Sequence, residues 1–274
     1  MPITETLQIG SLALEWGKRT YLMGIVNVTP DSFSGDGLAD HVDEAVARAR
    51  AMDAEGADII DLGAESTRPG HTPVPPDEQL RRLMPVLTEL AGTLRAPMSI
   101  DTSSAKVARA ALEAGAAIVN DIRGLMADPD IASVAAEAGA PVVIMHDVKI
   151  REVDELIPGI LSELERRIEH ALAAGIPLER IIIDPGFGFG KVGDLNLILL
   201  RRLRELTALG RPILAGTSRK SMIAHVLDLP AKDRLEGTAA TVTLAIANGA
   251  DIVRVHDVRA MTRVARMTDA VVRG

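Results

Sequence analysis

Short runs of β-branched and aliphatic residues recur along this chain. Each is ended by a polar side chain and followed by a stretch whose apolar positions fall three and four apart. The short runs read as strands buried on both faces, and the wider spacing reads as helices that cover them. The clearest unit is Ile181-Ile-Ile-Asp-Pro-Gly-Phe-Gly-Phe-Gly-Lys191, in which three β-branched residues lead to a carboxylate, and a proline and three glycines then forbid regular continuation. The pattern predicts strands over 21–28, 58–64, 97–102, 118–122, 142–146, 181–184, 212–217 and 252–256. Helices are expected over 42–56, 76–90, 104–115, 128–139, 153–175 with a kink at Pro158, 194–206, 221–227, 233–248 and 259–272. Gly56 reads as a C-cap, and Ser103 or Ser104 as an N-cap. Residues 5–20 read as a hairpin turning near Gly10 and Gly17.

Consecutive strand–helix units with right-handed crossovers close into an α/β architecture of the TIM type, a (β/α)₈ barrel with a short N-terminal hairpin. An open doubly wound sheet uses the same units and would move the site to a switch point; the barrel is the reading adopted. No shift in composition divides the units, so residues 1–274 read as a single domain.

Composition narrows the chemistry. Hydrophobic residues make up 47% of the chain but aromatics only 2%, so the core must be Val, Ile, Leu and Ala. The absence of cysteine excludes disulfides, a thiolate nucleophile and thiolate-bound zinc, and makes a cytoplasmic address the default. A net charge of -8 argues against non-specific nucleic-acid binding, while local positive charge at Lys220, Arg254 or Arg68, or a metal ion, still admits small anions. No apolar run approaches a membrane span, and Met1–Gly10 lacks the pattern of a signal peptide.

In such barrels chemistry sits where strands run into the loops that follow them. Those positions hold Asn27, Asp61 with residues 65–68, Asp101, Asn120 with Asp121, His146, Asp184, Thr217 with Lys220, and Arg254 with His256. Turn formation or helix capping accounts for any one of these, and is the preferred account of Asp61, Asn120 or Asp121 taken singly. Together they mix acceptors for a donor-rich heterocycle with cations for phosphate. Asp184, on a buried rung, calls for a donor-rich partner. Phe33, Phe187 and Phe189 all fall in loops at this face, where a ring either stacks on a planar ligand or anchors its loop.

Ser218-Arg-Lys-Ser221 joins a strand to a short helix, which makes an anion site. Arg254 and His256 alternate along the last strand and so face one side, suited to pyrophosphate. The alternating glycines 186, 188 and 190 lack dinucleotide-fingerprint spacing. No histidine pair has metal spacing; one Asn ligand with substrate oxygens and water suits Mg²⁺.

The motifs Asn27-Val-Thr-Pro-Asp-Ser-Phe-Ser34, Glu65-Ser-Thr-Arg-Pro-Gly70, Asn120-Asp121, Asp184–Lys191, Ser218–Ser221 and Arg254-Val-His-Asp257 resemble those of the dihydropteroate synthase family, in order and over nearly the whole chain. The resemblance implies a pterin-binding barrel and a transferase that joins 6-hydroxymethyl-7,8-dihydropterin pyrophosphate to p-aminobenzoate. It implies a pterin pocket of Asp101, Asn120, Asp184 and Lys220, and a pyrophosphate grip of Asn27, Arg254 and His256, with Asn27 the Mg²⁺ ligand. Thr67, Arg68, Phe189, Lys220 and Ser221 would surround p-aminobenzoate and its sulfonamide analogues. Catalysis would rest on Lys220, Arg254, Asp101 and Asp36, and the assembly would be a homodimer.

The sequence departs from the family pattern in three places. Ser34-Gly35-Asp36-Gly37 shifts the first loop's Asp, Asp147-Val148-Lys149 replaces the usual continuation after His146, and Leu195 stands where His is frequent. Competing readings are a pterin-dependent methyltransferase-like barrel, which needs no pyrophosphate grip, a Schiff-base aldolase using Lys220, and a catalytically impaired pterin-binding homologue.

Overall fold

The computed structural model describes residues 6–29, 38–65 and 73–274. A hairpin of β1 (Thr6–Ile9) and β2 (Leu12–Glu15) turns at Gly10 and precedes the repeat. Then follow β3 (Tyr21–Asn27), α1 (Leu38–Ala54), β4 (Ile59–Gly63), α2 (Pro76–Leu90), β5 (Met98–Asp101), α3 (Ala105–Glu113) and β6 (Ala116–Asp121). The chain continues through α4 (Ile131–Glu137), β7 (Val142–Met145), α5 (Val153–Ala173), β8 (Ile181–Asp184), α6 (Leu195–Arg202) and β9 (Leu214–Ala215). It closes with α7 (Ser221–Leu227), α8 (Leu235–Ala247), β10 (Ile252–Val255) and α9 (Val258–Val272).

All pairings among β3 to β10 are parallel, in the order β8-β7-β6-β5-β4-β3-β10-β9. A bridge between Ile183 and Ile213 brings the two ends of that row together, with Ile183 N–H donating to Pro212 O over 2.9 Å. The expected barrel therefore forms, and the open sheet does not.

Two apolar layers follow from the strand period of two. Alternate rungs such as Val119, Ile144, Ile183 and Val253 pack outward under the helices, while Ile59, Ile118, Val143, Ile182 and Ile252 fill the barrel. The hairpin residues Leu7, Ile9, Leu14 and Trp16 belong to that inner cluster, so the hairpin plugs the end of the barrel opposite the site. The same period carries the inward face two residues further at each strand's C-terminal end. Asp61 follows Ile59, Asn120 follows Ile118, Asp184 follows Ile182, and Arg254 follows Ile252. Those polar residues are thereby aimed into the barrel mouth.

Several expected elements differ. The strand expected over 212–217 shrinks to Leu214–Ala215, because Pro212 has no N–H to donate and Thr217 O is drawn into a turn by Lys220 N–H at 3.2 Å. The helix expected over 194–206 tightens after Arg202 into a 3-10 segment that ends at Gly210. Helix α5 continues through Pro158, which lies near its N-terminal end. Ser104 occupies the N-cap position of α3 without a side-chain cap bond; the free Ala105 N–H instead donates to Asp128 on the following unit, and Ser103 bonds Asp121. Among the described residues no helix is long and apolar enough to cross a membrane.

Candidate active site

The floor of the mouth is a chain of charge. Arg254, at the end of β10, donates from Nε to Asp61 Oδ2 and from Nη2 to Asp101 Oδ2, each over 2.6 Å. Asn120 Nδ2 donates to the same Asp61 oxygen over 3.0 Å. A carboxylate that holds one amide N–H fixes which end of the Asn120 side chain is nitrogen, and so where its carbonyl oxygen stands. Asp61 is fully buried and its Oδ1 has no partner among the described residues. It thus orients Asn120 and seats Arg254, a function that the turn-former account of Asp61 missed.

The charges perturb one another as burial predicts. Burial pushes the Asp101 carboxyl up to about 7, against the pull of Arg254. Burial also raises Asp184, opposed first by Lys220. Burial works against the charge of Arg254, yet Asp61 and Asp101 more than offset it and hold the guanidinium above its ordinary value.

Asp184 ends β8, and its Oδ1 accepts from Gly186 N–H over 2.7 Å. The three glycines beyond it, Gly186, Gly188 and Gly190, all take left-handed backbone angles. A Cβ on Gly186 would lie 1.9 Å from His146 O, so the loop after β8 is pressed onto the loop after β7. This loop meets Lys220 across the barrel seam: Lys220 Nζ donates to Phe187 O and lies 4.3 Å from the centre of the Phe189 ring. Burial lowers Lys220 to about 8, with Asp184 holding it up. Phe187 is fully buried in the outer layer and anchors the loop, whereas Phe189 is half-buried beneath the lysine. Phe33 lies outside the described residues.

His256 is neutral, lowered to about 3 by burial and then by Arg219 and Arg254. Ser218 Oγ accepts from His256 N–H at 3.2 Å and stands 3.0 Å from Nδ1. The neutral ring keeps one N–H donor and one acceptor nitrogen, and Ser218 holds the Nδ1 side. The expectation of a cation at His256 is corrected to a neutral ring. Arg219 is tied to Asp257 by two bonds and is not part of the mouth.

Ser221 opens α7 and is exposed next to Lys220, where a carboxylate can reach it. Asn27 ends β3 half-buried, and its side-chain amide makes no hydrogen bond with another described residue. Asp36, Thr67 and Arg68 lie outside the described residues. Of the other ring positions, Asp121 accepts from Ser103 and from the N–H groups of Arg123 and Leu125, and Thr217 pairs with Thr241; both are structural, as the capping account of Asp121 expected. His146 is buried, lowered to about 3 by burial and by Lys191, and turned away from the mouth toward that lysine. Lys191, buried inside the loop after β8, is the second residue whose place the sequence did not reveal.

The departure at Asp147 has a structural account. Its carboxylate pairs with Arg167 at 2.6 Å and Arg123 at 2.8 Å, and Arg167 also donates to Glu163, Arg123 O and Met145 O. A buried arginine of α5 thus clamps the loops after β6 and β7.

Comparison with known proteins matches this architecture. The family model described as pterin binding enzyme fits residues 23–256. The dihydropteroate synthase of Bacillus subtilis is 47% identical over 267 residues, covering 97% of this chain and 94% of its own. A dihydropteroate synthase of Clostridium difficile, solved in the presence of pteroic acid, superposes with a TM-score of 0.91 at 51% identity, over 94% of this chain and 99% of its own. The Xanthomonas albilineans enzyme with 4-aminobenzoic acid gives 0.92 at 41% identity, over 99% and 98%. On its fold, on the residues gathered at its mouth and on these matches, the chain belongs to the dihydropteroate synthase family of pterin-binding transferases.

Proposed function

We propose that this chain condenses 6-hydroxymethyl-7,8-dihydropterin pyrophosphate with p-aminobenzoate, forming 7,8-dihydropteroate and releasing pyrophosphate. The observation that carries this is the juxtaposition of buried acceptors (Asp184, Asp101 and the Asn120 carbonyl) with Lys220 and Arg254 at one barrel mouth. A pterin edge rich in N–H groups satisfies acceptors that are costly to bury alone. Lys220 supplies a donor for the pterin carbonyl side. Arg254 and the neutral ring of His256 stabilise negative charge on the departing pyrophosphate.

Departure leaves a cation on the pterin methylene that the ring delocalises, and the arylamine nitrogen then attacks it. No side-chain nucleophile is required, since orientation and charge stabilisation suffice. Phe189, Ser221 and Lys220, with Thr67 and Arg68, frame p-aminobenzoate, and Asp36 shields the cation. Asn27 is the residue that holds Mg²⁺; the free oxygen of its amide suits a hard ion that keeps most of its water. Bound there, Mg²⁺ supplies Lewis-acid relief of pyrophosphate charge.

Exposed Leu244 of α8 and Met267 and Val271 of α9 read as one apolar stripe, since the two helices meet where Thr243 and Thr268 stand 3.5 Å apart. A second copy of the chain covers that stripe in a homodimer. The cysteine-free composition fits a cytoplasmic address.

The test is dihydropteroate formation from the two substrates, with and without Mg²⁺. Pyrophosphate release must depend on p-aminobenzoate, and a single turnover must leave no pterin bound covalently to protein. Pterin pyrophosphate binding without turnover would refute the activity, and a trapped covalent adduct would refute the mechanism.

A further inference from the structure

Lys191 is 2% exposed, and none of the roles above uses it. Its Nζ sits inside the loop after β8, 3.0 Å from Gly186 O and 2.8 Å from Phe189 O. It also stands 3.0 Å from His146 Nδ1 and 3.4 Å from His146 O, where β7 gives way to its loop. An ammonium has three hydrogens and no lone pair, so while Lys191 is charged these acceptors engage all its hydrogens and the Nδ1 it faces is unprotonated.

Burial of this kind is costly, and no carboxylate among the described residues hydrogen-bonds to the ammonium. Burial lowers Lys191 to about 7, with Asp184 and Asp147 opposing, and Lys220 and Arg167 adding to the fall. The lysine is one of several ties on a loop that the buried Phe187 ring and Ile150 N–H, donating to Gly190 O at 3.0 Å, also hold. Its three left-handed glycines exclude helix or strand, and one turn bond, Phe189 N–H to Gly186 O at 3.0 Å, lies within it. On the far side Asn196 of α6 accepts from Gly188 N–H and donates to Lys191 O.

That loop is the seat of Lys220. Phe187 O accepts from Lys220 Nζ, the Phe189 ring lies beneath it, and a Cβ on Gly188 would stand 3.1 Å from Lys220 Cδ. A displacement of the loop therefore carries the arylamine side of the mouth with it. We propose that Lys191 is a positioning residue. By tying the carbonyls of Gly186 and Phe189 to His146, it fixes where Phe189 and Lys220 stand and so governs p-aminobenzoate binding without touching substrate.

This rests on the activity proposed above. The experiment compares full-length wild type with Lys191→Met, measuring both KM values, kcat and calorimetric binding of p-aminobenzoate, with circular dichroism as the check on folding. The expected result is a rise of about tenfold in KM for p-aminobenzoate, with a smaller rise in KM for the pterin pyrophosphate, which shares Lys220 but not Phe189. A fall in kcat with both KM values unchanged marks a merely structural lysine and overturns the proposal.

If Lys191→Met does not fold, Lys191→Gln, which keeps a donor, reads the same split between substrates. If neither folds, the residue is a folding requirement and the proposal fails. Wild-type protein that forms no dihydropteroate refutes the activity reading instead; weaker p-aminobenzoate binding by the variant then still supports the role of Lys191, and equal binding overturns it.

Discussion

Asp61 Oδ2 lies 2.6 Å from Arg254 Nε, a pairing made across 193 residues of chain inside the barrel mouth. Because the same oxygen holds Asn120, one carboxylate sets both an acceptor and a cation. Asp61→Ala releases the Asn120 amide and leaves Arg254 half paired. Breaking a buried pair in this way costs about 3–5 kcal/mol. Chemical denaturation should show a loss of that order, and calorimetry should show weaker pterin binding; unchanged values for both would remove Asp61 from the site.

The pH dependence of the reaction follows from two groups. Asp101, pushed up to about 7, must be ionised to accept from the pterin, so kcat/KM rises as pH climbs through that value. Lys220, lowered to about 8, must be protonated to donate, so kcat/KM falls beyond it. The profile of the free enzyme is a narrow bell between the two. Lys220→Arg keeps its proton throughout and should abolish the alkaline limb at whatever activity remains; an alkaline limb that stays in place would assign it to another group.

The loop after β8 tolerates no side chain where it meets β7. Gly186→Ala combines a φ of +70° with a Cβ at 1.9 Å from His146 O, and should cost about 3 kcal/mol or more. Gly193→Ala, with a φ of +55° but open space, should cost about 1 kcal/mol. Thermal or urea unfolding of the two variants checks the contrast, and equal losses would mean that strain alone, not the packing of one loop on the other, sets the cost.

The stripe on α8 and α9 carries an assembly prediction. Leu244→Asp with Met267→Glu should turn a dimer into a monomer in sedimentation, with the barrel still folded by circular dichroism. A wild-type protein that sediments as a monomer would leave the stripe unexplained by self-association.

Strand and helix order was legible because each unit carries its own periodicity. The helix Pro76–Leu90 and the strand Ile181–Asp184 fall where the sequence predicts them. Strand β9 was overread: its Ile-Leu-Ala run outweighed Pro212, which withholds a donor, and nothing in that run shows that the turn at Thr217 starts early. At the site, motif residues such as Asp184, Lys220 and Arg254 stood out by their place at strand ends. Asp61 shared that place, but taken singly an Asp before Leu-Gly reads as a turn former until its partner across the barrel is known. Lys191 closes a recognised motif, yet its side chain folds back into the loop rather than outward. No linear signal tells a solvated lysine after a glycine from one that is buried.

The barrel is stitched most thinly between β8 and the two-residue β9, at the bridge from Ile183 to Ile213. Asp184 stands on one lip of that gap and Lys220 on the other. A pterin held by both is therefore a clasp across the cylinder's weakest joint. Occupancy should stiffen the whole wall, and an empty enzyme under load should split first along this line.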